Sequence, residues 1–259
     1  MALSLSTLKR RERIKPPIAV LYGTHGVGKT TLAAGADDPV LLAVENGIGQ
    51  LDVPHWDIAS FGDVMEAIGV LYSEEHDRRT LIMDSLDWLE PLIWQETCRR
   101  NGWQSIEDAG FGKGYVAADV VWREYMDGIR ALRDERGMTV VQIAHEAISN
   151  FASPDTDPYD RHTIKLHKRA SALVQEHADI IAFLGYRVSI KQADVGPGKK
   201  ITRGVGGGQR VLHLEERPAY VAKNRYSLPA SIEIPSVADA AMNPQAAWAA
   251  FAQHLPTFN

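Results

Sequence analysis

The chain has 259 residues, 45% hydrophobic and 24% charged, with 28 Lys+Arg against 33 Asp+Glu, so its formal net charge is −5 with His neutral. These are the proportions of a soluble globular protein. The single cysteine excludes an internal disulfide, no Cys/His set has zinc-finger spacing, and no stretch approaches the roughly 18 apolar residues of a membrane-spanning helix.

Residues 1–16 read as a flexible basic arm with Lys9, Arg10, Arg11, Arg13 and Lys15, closed by Pro16-Pro17. The arm has no apolar core of a secretory signal, so a reducing, cytoplasmic setting is expected. Ile18–Tyr22 is an apolar run of the kind a buried parallel strand needs. A glycine-rich turn follows, then a helix from Lys29 to about Ala34 and a second buried strand over 39–44. A short strand is expected at 57–59, and a helix at 61–73 from the period of Phe61, Val64, Met65, Ile68 and Leu71. Thr80–Met83 is a strand, and 85–100 and 115–136 are helices, the second striped by Val116, Val120, Tyr125, Ile129 and Leu132.

Thr139–Ala144 and Ile180–Leu184 are further buried strands, with a helix at 169–177 between them. Runs at 186–191, 209–214, 219–222 and 230–234 suggest hairpins, and 244–254 a small helix with Trp248 and Phe251. The segments 153–158 and 196–208, rich in Pro, Asp and Gly, read as loops. Strands alternating with helices predict a mostly parallel sheet flanked by helices. No repeat and no linker with a core beyond it is present. The expected organisation is therefore the arm 1–16, one α/β domain over 17–235 and a C-terminal tail 236–259 with a short helix.

Gly23-Thr24-His25-Gly26-Val27-Gly28-Lys29-Thr30 matches G-x-x-x-x-G-K-[ST] in full, with Thr31 extending the run, and it lies between a strand and a helix. Glycines let a backbone wrap a phosphate chain and aim its N–H groups at it. Lys29 neutralises the β- and γ-phosphates, and the Thr30 hydroxyl can ligate Mg²⁺. ATP and Mg²⁺ are the cofactors this motif implies. Asp84 ends the strand Thr80–Met83, where a carboxylate can hold the same metal; it could also simply start the next helix. Because Ser85 follows instead of Glu, the group that activates water has to come from elsewhere. Glu45, at the end of the strand 40–44, is the candidate, against a plain solvated strand-end charge. His145 ends the strand 139–144, where a polar residue could sense the γ-phosphate or simply bond the backbone.

In this order, the phosphate loop, Glu45, Asp84-Ser85 and His145 resemble the core of the RecA-like P-loop ATPases. That family ends the corresponding strands in a catalytic Glu, a metal-holding Asp commonly followed by Ser, and a sensor that is usually Gln; His145 departs from it. Within that family the chain more closely resembles short phage-encoded, AAA-type ATP-binding proteins of the single-strand annealing and recombination group. Ala222-Lys223-Asn224-Arg225-Tyr226-Ser227-Leu228-Pro229 resembles a segment whose basic residues reach a neighbouring subunit's ATP. The resemblance thus implies that Lys223 and Arg225 act in trans, and that the protein is a homo-oligomer, ring or filament, with ATP at subunit interfaces.

It further implies a DNA-dependent ATPase that binds single-stranded DNA, with a single-strand-binding protein as a candidate accessory partner and no membrane association. Two basic runs are candidates for the DNA contacts, since basic glycine-rich loops suit sequence-independent binding to phosphates. One holds Arg161, Lys165, Lys168 and Arg169; the other, 187–210, holds Lys199, Lys200 and Arg203 together with Arg187, Lys191 and Arg210. A small-molecule P-loop kinase, with 161–169 as its lid, and a nucleotide-gated loader with little hydrolysis are the alternatives.

Overall fold

The computed structural model describes residues 8, 14–45, 49, 51–194 and 200–258, and the side chains of 188–207 are outside that description. The elements are β1 (Ile18–Gly23), α1 (Lys29–Ala34), β2 (Pro39–Ala43), β3 (His55–Asp57), α2 (Phe61–Ser73), β4 (Thr80–Asp84), α3 (Leu86–Asn101), α4 (Lys113–Glu135), β5 (Thr139–Ser153) and β6 (Thr156–Ile164). They continue with α5 (Lys168–His177), β7 (Ile180–Asp194), β8 (Lys200–His213), β9 (Lys223–Asn224), β10 (Ser231–Ile234), α6 (Val237–Met242) and α7 (Pro244–Ala252). The sheet runs β10-β8-β7-β1-β5-β4-β2-β3, with the strands from β7 to β3 parallel. β5 therefore lies between the phosphate-loop strand and the Asp84 strand, in the mostly parallel α/β arrangement expected.

Each central strand is buried on both faces, and alternate residues serve different cores. Ile18, Val20 and Tyr22 of β1 face a core filled by α2, α3, α4 and α5, around Phe61, Leu89, Trp122 and Val174. Ala19 and Leu21 face the opposite core, with Leu32 of α1 and Trp248 and Phe251 of α7. The stripe of α4 runs through Trp122, Tyr125, Met126, Ile129 and Leu132. Val116 and Val120, expected on it, are 50% and 59% exposed; they fall outside the arc that meets the sheet.

The segments read as loops differ most from expectation. β5 leaves the sheet and pairs with β6 as far as Ser153, so 147–164 is a hairpin. β7 and β8 form a longer one, paired from Phe183–His213 out to Asp194–Lys200 with a register shift between Tyr186 and Val188, and the glycines at 204 and 206–208 lie within β8. Once a central strand runs past its neighbours its backbone groups need partners, and the returning strand supplies them. The expected strand at 219–222 shrinks to Lys223–Asn224, and that at 57–59 lies at His55–Asp57. Among the described residues no helix is long and apolar enough to cross a membrane.

The tail was expected to carry one short helix; α6 and α7 are both present, and α7 lies against α1. A Cβ on Gly35, just after α1, would come within 1.9 Å of the Pro244 carbonyl oxygen, so the two chains meet at backbone distance. Phe251 is 4% exposed in this core. Phe251→Ala should lower the unfolding free energy by about 3–5 kcal/mol in urea titration; an unchanged midpoint would show that the tail is dispensable for stability.

Candidate phosphate-loop site

β1 delivers the chain to the C-terminal edge of the sheet, where the phosphate loop turns through Gly26 and Gly28 at φ 72° and 84°. This left-handed backbone favours glycine. Lys29 opens α1 and is 5% exposed. Its Nζ donates to the carbonyls of Gly23 (3.0 Å) and Thr24 (2.9 Å). Burial pulls its pKa down, against the charges of Asp84, Asp87 and Glu45. The Thr30 hydroxyl donates to Asp84 Oδ2 at 2.7 Å. Burial raises the Asp84 pKa, the Thr30 bond opposes that, and Glu45 adds repulsion.

These groups surround a cavity of about 330 Å³ that is also lined by His25, Gly26, Gly28, Thr31, Glu45 and His145. The sequence candidates Lys29, Thr30, Glu45, Asp84 and His145 thus meet in one place. A larger cleft of about 940 Å³ opens at the other end of the sheet, beside the strand starts at Thr80 and Thr139 and away from these groups. Among the described residues no cluster of three or more His, Cys, Asp or Glu could hold a metal by itself. One carboxylate and one hydroxyl is nevertheless the set that suits Mg²⁺, which takes few protein ligands and completes its shell with phosphates and water.

His145 is held from behind by α3. Its backbone N–H donates to Asp87 Oδ1 at 3.0 Å, and its Nδ1 lies 3.0 Å from Asp87 Oδ2. Burial works against the charge on Asp87. The bonds from His145 and from the Ser85 hydroxyl outweigh it and hold the carboxyl at about 2. The His145 ring stacks on His25 of the phosphate loop, with centroids 3.7 Å apart. Burial, His145 and Lys29 all lower the His25 pKa. One turn along α3, both oxygens of Glu90 accept from the His167 backbone N–H at 3.1 Å. Asp87 therefore grips the residue where β5 leaves the sheet, and Glu90 a residue just past the end of β6. Neither was singled out in the sequence, although their i, i+3 spacing puts both on one helix face.

The other candidates lie elsewhere. β9 pairs with Ile180 and Ile181, at the opposite end of β7 from the phosphate loop. Lys223 Nζ donates to the Gln175 and Glu176 carbonyls at the end of α5, and Arg225 pairs with Asp179 at 3.2 Å. Neither lines its own chain's cavity. In the first basic run, Arg161 pairs with Glu216 and Arg169 with Asp119. Lys165 and Lys168 are exposed, Lys165 lying 3.8 Å from Asp87. In the second run, Lys200 and Arg203 sit on β8, while Lys199 and the arm residues Lys9, Arg10, Arg11 and Arg13 are outside the described residues. Arg210, read with that run as a DNA candidate, is instead fully buried. Leu51 and Val237 complete the cavity wall, and no motif marks them.

A glycine-bent loop closing on a buried lysine, beside a Thr–Asp pair at the C-terminal edge of a parallel sheet, defines an α/β fold of the P-loop NTPase type. A family profile described as an AAA domain matches residues 15–226, and the chain belongs to that family. A search of curated proteins finds no match. Among 130 matching chains of solved structures is the crystal structure of the RadB recombinase. It is 14% identical and is aligned over 86% of this chain and 89% of that chain, with a TM-score of 0.46.

Glu90 offers a pH test of the α3 contacts. Burial raises its pKa from 4.5 to about 7, despite the bond from His167. In that interval the folded chain holds a proton that the unfolded chain has lost. Stability should therefore fall as pH rises from about 4.5 to about 7. Glu90→Gln should flatten that part of the curve in urea titrations at stepped pH; an unaltered slope would place the proton elsewhere.

Proposed function

We propose that the protein is an ATPase that binds single-stranded DNA and acts as a homo-oligomer in DNA recombination or single-strand annealing. One observation carries the reading: Lys29, Thr30, Glu45, Asp84 and His145 converge on one cavity, and His145 is also where the β5–β6 hairpin leaves the sheet. In this reading the loop amides and Lys29 hold the phosphates. Thr30 and Asp84 would hold Mg²⁺, which supplies neutralising charge when bound. Glu45 orients a water and takes its proton as the water oxygen attacks the γ-phosphorus. The bond to the β–γ bridging oxygen breaks, leaving ADP and phosphate.

Asp87 occupies Nδ1 of His145, so Nε2 is the nitrogen left for the γ-phosphate, as a donor when the ring is protonated. A shift of His145 on loss of that phosphate would move the root of the hairpin whose base bears Lys165 and Lys168. Order and disorder of a segment gated by a γ-phosphate is an established form of switching. The basic run 187–210, in which positions 200 and 203 fall on β8, supplies a second DNA contact. Lys223 and Arg225, at the far end of β7, would serve a neighbouring chain's ATP, exchanging their present carbonyl and Asp179 contacts for the γ-phosphate. The recombination role rests on the motif resemblance.

ATP hydrolysis measured with and without single-stranded DNA tests the reading. Hydrolysis should rise with DNA, and Lys29→Ala should remove it by on the order of 10²-fold or more. No DNA binding in any nucleotide state would overturn the proposal. Mixing Arg225→Ala with Lys29→Ala subunits should restore part of the activity if sites are shared between chains; the absence of any rescue would count against trans action.

A further inference from the structure

Arg210 belongs to none of the roles above. It is 0% exposed, and among the described residues no carboxylate pairs with it. Its guanidinium instead meets four backbone carbonyls. Nη1 donates to Val27 at 2.7 Å and, at the limit, to Gly28 at 3.5 Å. Nε donates to Pro235 at 2.6 Å and Nη2 to Ser236 at 3.2 Å. The fork spans the back of the phosphate loop and the turn that joins β10 to α6.

A buried cation is usually matched by an anion, because desolvating it is costly. Burial indeed lowers the Arg210 pKa, yet guanidinium remains charged at any ordinary pH. An uncompensated positive charge is thus fixed one peptide behind the loop. The bonds also set the loop's direction. In a trans peptide the C=O and the following N–H point opposite ways. Binding the Val27 carbonyl from behind turns the Gly28 N–H toward the cavity that Gly28 lines. The fit is close, since a Cβ on Gly28 would lie 2.5 Å from Arg210 Nη1. Pro235, Ser236 and Val237 lie beyond the 15–226 family match, yet Val237 forms part of the cavity wall.

We infer that Arg210 is a positioning residue for the nucleotide's phosphates: it locks the Val27–Gly28 peptide in its anion-binding orientation, ties it to the β10–α6 turn, and adds positive potential from behind. This rests on the nucleotide-binding reading above and extends the site into the C-terminal segment. Calorimetric titration of the full chain with MgATP tests it, using wild type, Lys29→Ala, Arg210→Met and Arg210→Lys, each checked by thermal melting.

Arg210→Met should weaken ATP binding roughly tenfold to hundredfold, as expected for loss of charge-assisted bonds. Arg210→Lys, which keeps the charge and the stem but not the fork, should fall between. A purely structural arginine would lower the melting temperature and leave the dissociation constant of the folded protein unchanged; that result overturns the proposal. If Arg210→Met does not fold, Arg210→Lys decides: wild-type affinity in it overturns the orienting role. In wild type, the Arg210 Nε–H resonance should shift on adding MgADP, and a resonance that stays in place overturns the proposal without any variant. Absence of nucleotide binding by wild type would instead sink the underlying reading.

Discussion

Asp84 is the residue on which the geometry of this edge of the sheet depends. Its carboxylate accepts from Thr30 on α1, and its backbone carbonyl accepts from the N–H groups of Val44 and Glu45 at the end of β2. The chain then passes through Ser85, whose hydroxyl donates to Asp87, and Asp87 holds His145 at the turning point of β5. One buried strand end thus joins the phosphate loop, the Glu45 strand and the root of the β5–β6 hairpin. Burial disfavours the charge on Asp84, so the position suits a cation brought by the ligand better than an empty pocket.

The same economy governs the two faces of the sheet. Parallel strands buried on both sides bring polar side chains from several strands together at their C-terminal ends. One face carries α3, whose Asp87 and Glu90 hold both ends of the hairpin. The other carries α1, backed by α7 and by the Arg210 fork. The loop between them is fixed from front and rear: Lys29 bonds the Gly23 and Thr24 carbonyls, and Arg210 bonds those of Val27 and Gly28. Rigid backing of this kind is what a site needs if its N–H groups are to face an anion without rearranging.

The net charge of −5 also takes on a different meaning. The basic residues do not all form a free binding surface. Arg161 and Arg169 pair with Glu216 and Asp119, each pair having one half-buried and one exposed partner. Arg210 leaves the surface altogether. Lys165 and Lys168 stay exposed beside the hairpin base, so within the run 161–169 the charge left outside the two arginine pairs is more localised than the sequence of basic residues suggests.

The sequence by itself determined the local chemistry: the phosphate loop between strand and helix, the strand ends at Glu45, Asp84 and His145, and the alternation that makes a parallel sheet. Each of these is written in consecutive residues, because glycine spacing and apolar period are local properties of the chain. Only the tertiary structure decided that 156–158 and 200–208, read as loops, are paired strands, since backbone pairing depends on which partner returns. It alone decided that Val116 and Val120 face outward, that Lys223 and Arg225 sit far from their own phosphate loop, that Asp87 and Glu90 hold the two ends of the hairpin, that Val237 lines the cavity and that Arg210 bonds the back of the phosphate loop. Arg210 shows why most plainly. Its meaning lies in contacts with Val27, 183 positions away, and no pattern along the chain records a distance of that kind.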